Sequence, residues 1–262
     1  MRRIDGIERT ARLATAAIAA LAGLASAAGL AIDGLYTETY LGSAMRGQDL
    51  VTLLCLPVLV AALVLGGRGS ARGRIVWLGV LGYLFYTYAG AAFAYRFNAF
   101  FLVYLALFSL SIVALVTTAA GISGARPLGP NAPRLPVAGF LLFIALVLAA
   151  SELGQIVSAL GTGRTPDLIA RSEGAGNFVY VLDLGVVAPL AVAAAVGLRR
   201  RAPWADILAA CLLIKAATMG LALLAMTAFS LRAGQPLEEG LTAAYATIAA
   251  GGLGMSFWFL RR

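Results

Sequence analysis

Residues 136–160 read PVAGFLLFIALVLAASELGQIVSAL, twenty-five positions with one charged side chain, Glu152. At about 1.5 Å of rise per residue, a helix of that length crosses the roughly 30 Å hydrocarbon core of a bilayer. Seven further apolar runs of similar length fall at 13–32, 50–66, 75–95, 99–122, 177–198, 204–230 and 241–260. The expected fold is therefore an all-α integral membrane protein with eight transmembrane helices.

Composition agrees with that reading. The 262 residues are 61% hydrophobic, against about 45–50% in soluble domains, and mean hydropathy is +0.90. No polar stretch is long enough for a soluble domain, so 1–262 reads as a single polytopic membrane domain. The first run follows Arg2, Arg3, Arg9 and Arg12, and Ala25-Ser26-Ala27 resembles a signal-peptide cleavage site. Its apolar length and the charge pattern of the whole chain favour a retained helix.

The charge of +8 does not point to nucleic acid, because its placement follows the spans. Fourteen arginines fall in the N-terminus, the 67–74 and 123–135 loops, Arg199 to Arg201 and the C-terminus. The alternate loops hold five, Arg46, Arg96, Arg164, Arg171 and Arg232, diluted by Asp33, Glu38, Asp49, Asp167, Glu173, Glu238 and Glu239. The positive-inside rule then puts both termini in the cytoplasm, N-in and C-in. The expected location is a bacterial-type plasma (inner) membrane, multi-pass, with the lipid bilayer as the first partner.

Internal duplication is a further expectation. Asp49-Leu50 with Pro57 resembles Asp183-Leu184 with Pro189, each followed by an arginine-rich turn and a tryptophan, Trp77 or Trp204. Asp33 to Asp49 also has the spacing of Asp167 to Asp183. Two parallel four-helix halves, 1–124 and 136–262, would flank a stiff 125–135 linker bearing Pro127, Pro130 and Pro133. Pro57 and Pro189 should kink their helices, while Gly252 with Ser256 and Gly23 with Ala27 offer close helix contacts.

No HExxH, GxSxG or CxxC motif occurs, and histidine is absent, so no catalytic residue, metal site or cofactor is expected. Cys55 and Cys211 sit in separate runs as apolar side chains. Chemistry should instead sit with the three charges inside the spans, because a charge in a bilayer is costly and marks function by default. Glu152 would lie about 12 Å and Asp183 about 9 Å from one face, with Lys215 about 16 Å from the other. A Glu152–Lys215 pair with Asp183 above it is expected.

Gln155 is one turn from Glu152, and Asn177, Tyr180 and Asp183 form a stripe. Gln48, Asp49 and Thr52 line the entrance, and Tyr83, Tyr86 and Tyr88 lie too deep for an interfacial belt. The candidate ligand-binding set is Glu152, Gln155, Tyr180, Asp183, Lys215, Asp49 and Tyr88, suited to a small cationic or amphipathic solute in an outward-facing polar cavity. That implies transport or reception of a solute. The alternatives are a non-catalytic membrane partner, in a hetero-complex or homo-oligomer, whose ion pair only fixes helix register, and an intramembrane enzyme using Lys215 with a serine such as Ser151 or Ser256.

Overall fold

Eight long helices carry the chain: α1 (Arg2–Ala31), α2 (Gly42–Gly67), α3 (Ala71–Ala94), α4 (Phe101–Ala120), α5 (Arg134–Thr162), α7 (Asn177–Arg199), α8 (Pro203–Arg232) and α9 (Glu239–Arg261), with the single-turn α6 (Asp167–Arg171) between α5 and α7. They come from a computed structural model that describes residues 2–36, 42–122, 129, 131–172 and 174–261, with the side chains of 2–5 left aside. Each of the eight is long and apolar enough to cross a membrane, and each covers one of the expected runs. Among the described residues there is no strand. Glu38, Arg126, Pro127, Pro130, Glu173 and Arg262 lie outside the described residues.

α1 begins well before its apolar run because Arg12 pairs with Glu8 at 2.6 Å, one helical turn apart. It packs between α2 and α4, burying Ile18, Ala22 and Ala25, and Trp77 Nε1 on α3 donates to Thr15 Oγ1 at 2.8 Å. α3 and α8 run through the middle. In α3 72% of the most apolar window is buried, against 22% in α9, so the α3 tyrosines are interior groups. α2, α4 and α8 surround α3, and α5, α7 and α9 close around α8.

Small residues set the crossings. A Cβ on Gly47 would stand 2.4 Å from the Ala225 backbone, and one on Gly252 would stand 2.6 Å from Ala217 N, so α2 and α9 meet α8 backbone to backbone. Without a hydrophobic drive between helices in lipid, such close approach supplies the packing energy. Gly252 thus has the expected contact. Gly23 merely touches Leu56 at 3.4 Å, and the tight position on α1 is Gly29.

The two intrahelical prolines behave differently. Pro57 lies within a continuous α2. Ahead of Pro189, residues Asp183–Val187 widen into a π-turn in which Ala188 N donates to Asp183 O. Proline removes one helical donor and crowds the carbonyl four residues back, and a widened turn relieves both problems. The distortion falls on Asp183, the first residue of the π-turn.

Candidate functional site

Four helices bring the intramembrane charges together. Glu152 comes from α5, Asp183 from the π-turn of α7, Lys215 from the middle of α8 and Tyr86 from α3. Glu152 and Asp183 are buried, at 7% and 8% exposure, and Tyr86 is buried with them. Asp183 interacts through its side chain with both the Tyr86 hydroxyl and the Glu152 carboxyl, and both acids feel the charge of Lys215. Lys215 Nζ stands 4.1 Å from the centroid of the Tyr86 ring.

The expected close Glu152–Lys215 pair is therefore redistributed. Lys215 rests on an aromatic face, while the two acids meet each other. An ammonium gains electrostatic attraction from the ring quadrupole, most of all where water is excluded. Two acids facing one ammonium leave one negative charge over, which a proton or a cationic guest must balance. Glu152 Oε2 is buried and has no hydrogen-bond partner.

Beside this cluster Tyr180 donates to Gln155 Oε1 at 2.9 Å, joining α7 to α5. Five of the expected site residues, Glu152, Gln155, Tyr180, Asp183 and Lys215, thus gather in one place. Some of their expected neighbours do not. Ser151, Ser158 and Asn177 are exposed, and the Thr218 hydroxyl donates to the Ile214 carbonyl of its own helix at 2.9 Å. Lys215 meets Tyr86 and the two acids rather than a serine, and the Ser256 hydroxyl is buried without a partner.

Asp49 and Tyr88 belong elsewhere. Tyr86 and Tyr88 are two residues apart, so at about 100° per residue they point to nearly opposite sides of α3. Tyr88 turns towards α1, α2 and α4, beside Ser26 and within electrostatic reach of Asp49 and Tyr104. Tyr36 Oη donates to Asp49 Oδ2 at 2.5 Å. Burial, with Asp49 alongside, holds the Tyr36 phenol far above its ordinary range, so it stays protonated as a donor. Tyr83 Oη and Thr52 Oγ1 lie 3.0 Å apart, and Gln48 Nε2 donates to Thr87 Oγ1 at 2.7 Å.

Sequence reasoning missed Tyr86 as the seat of Lys215, and Tyr36, Ser26 and Gly29 as the surroundings of Asp49. The signal for Tyr86 was its depth in an apolar run. Its direction was invisible without knowing the neighbours of α3. No protein-family model matches the chain, and comparisons with curated proteins and with solved structures give no match.

Proposed function

We propose that this membrane protein binds a small cationic or amphipathic solute at the Glu152–Asp183–Lys215–Tyr86 cluster, and that it transports or senses that solute. The observation that carries the reading is the unequal charge: two buried carboxyls, one ammonium and an orphaned Glu152 oxygen among four helices. A cation entering there would take the place of a proton, and tyrosine faces would hold its apolar part. The π-turn supports the reading too, since such distortions frequently mark functional sites.

The arginine distribution supports a plasma-membrane topology with both termini in the cytoplasm and the solute site reached from outside. A duplicated origin is supported by the turns α2–α3 and α7–α8. Ser70 N donates to Leu65 O at 3.0 Å and Ala202 N to Gly197 O at 2.9 Å, each pair 132 residues from its counterpart. Gly69 and Arg201, at the same offset, both have positive φ, 93° and 54°. α1 and α5 begin at the same offset, at Arg2 and Arg134. Trp77 and Trp204 fall five residues out of that register.

The test is thermal unfolding of the detergent-purified protein with a panel of organic cations, on wild type, Glu152→Gln, Lys215→Met and the double variant. A solute that stabilises wild type, and no longer does so in a folded Glu152→Gln protein, supports the site. The competing reading is a membrane partner or assembly subunit whose charges only set helix register. It is favoured by Lys215 already having the Tyr86 ring and two acids around it. That reading prevails if no solute binds and the double variant recovers the stability that each single one loses.

A further inference from the structure

A second buried carboxylate has no cation of its own among the described residues. Asp49, on α2, is only 9% exposed and accepts from Tyr36 Oη at 2.5 Å. The Ser26 hydroxyl on α1 lies beside it without a formed hydrogen bond. The nearest arginine on its own helix, Arg46, is turned to Asp33 Oδ1 at 2.7 Å. The groups facing Asp49 from the other elements are Tyr83, Tyr88 and Tyr95 at α3 and Tyr104 on α4, none of them a cation. A bare carboxylate in so dry a place is prohibitively costly, so it holds either a proton or a bound cation.

The hydroxyls decide between the two. Ser26 Oγ, Tyr88 Oη and Tyr104 Oη are buried and make no hydrogen bond of good geometry. Ser26 and its neighbours are closed off from water, at 0%, 3% and 2% exposure. A proton on Asp49 would neutralise the charge and give one O–H donor, enough for one of these hydroxyls and not for all three. An alkali cation would neutralise the charge and draw on the hydroxyl oxygens together. One carboxylate is too little charge for a calcium site, which gathers six to eight oxygens with several acids among them.

The place is also shaped for the carboxylate. A Cβ on Gly29 would stand 1.9 Å from Asp49 Oδ2 and 2.6 Å from Tyr36 Oη, so only glycine lets both groups seat on α1.

We propose that the buried polar cluster among α1, α2, α3 and α4 is a monovalent alkali-cation site, with Asp49 as its charged ligand and the hydroxyls of Ser26, Tyr88 and Tyr104 as its neutral ones. It is separate from the Glu152 cluster, on the other side of α3, and does not depend on that cluster binding a solute.

The experiment is thermal unfolding of the 262-residue chain in sodium, lithium, potassium or choline chloride at constant ionic strength and pH. Wild type should melt several degrees higher in at least one alkali chloride than in choline, with a saturable dependence on that ion. Asp49→Asn should lose the shift and melt alike in every salt, while Glu152→Gln should keep it. Tyr88→Phe and Ser26→Ala, which retain the charge, should raise the half-saturating concentration about tenfold, and they decide the matter if Asp49→Asn does not fold. Identical melting of wild type in all four salts overturns the proposal and leaves a proton on Asp49. A shift that survives in Asp49→Asn, or a half-saturation unmoved in both hydroxyl variants, overturns it equally. Loss of the solute response in Glu152→Gln with the alkali response intact separates the two sites.

Discussion

Lys215 is the residue on which the charge balance of the α5–α7–α8 cluster turns. Replacing it with methionine leaves Glu152 and Asp183 buried with no counter-charge, and stripping one partner from a buried ion group costs about 3–5 kcal/mol. Lys215→Met should therefore unfold at markedly lower temperature. Glu152→Gln in the same chain should restore most of the loss, since it removes the acid that has become surplus. Melting curves of the two singles and the double give the coupling directly, and additive losses would mean that the residues do not interact. Gly29 gives a second residue-level test. With Asp49 Oδ2 where its Cβ would be, Gly29→Ala must displace the carboxylate or the Tyr36 hydroxyl, and overpacking of this kind costs about 1–3 kcal/mol. A melting temperature equal to wild type would mean that Asp49 sits elsewhere.

Among the elements, α7 couples sequence to chemistry most directly. Pro189 forces the π-turn, and the π-turn begins at Asp183. Pro189→Ala restores the missing donor and lets the helix regularise, which would rotate Asp183 by up to about 100° relative to the rest of α7. The variant should be at least as thermally stable as wild type yet lose the solute-induced shift. Retention of both would show the π-turn to be incidental. The α7–α8 turn makes the opposite point, since Arg201 is the one non-glycine residue with positive φ among the described residues. The left-handed region costs a side-chain-bearing residue about 1–2 kcal/mol, so Arg201→Gly should stabilise by about 1 kcal/mol, read as a rise in melting temperature. The proline in α7 was visible in the sequence as a kink. Its effect on Asp183 was not, because whether a helix bends or widens at proline depends on what packs against it.

At the scale of the whole molecule, the eight helices were legible because each run needs only length and apolarity to be recognised. Glu152, Asp183 and Lys215 were legible as a group because charges are rare in such runs, and helical rise places them in depth. Rise says nothing of azimuth, and that is why Asp49 and Tyr88 were grouped with them while the structure turns them to the other side of α3. Tyr86 was hidden for the same reason, as one aromatic among many until α5, α7 and α8 are known to face it. Orientation across the bilayer rests on the arginines, and it has its own test. Arg68, in the α2–α3 turn, and Asp167, the first residue of α6, are exposed, and the expected topology puts them at opposite ends of the spans. Single cysteines at these positions, in a chain with Cys55→Ser and Cys211→Ser, can be treated with a membrane-impermeant maleimide on intact cells. Positive-inside orientation requires the Asp167→Cys protein to label at once and the Arg68→Cys protein only after the cells are opened. The reverse pattern would place the arginine-rich loops outside, and the solute proposed for the Glu152 cluster would then have to enter from the cytoplasm.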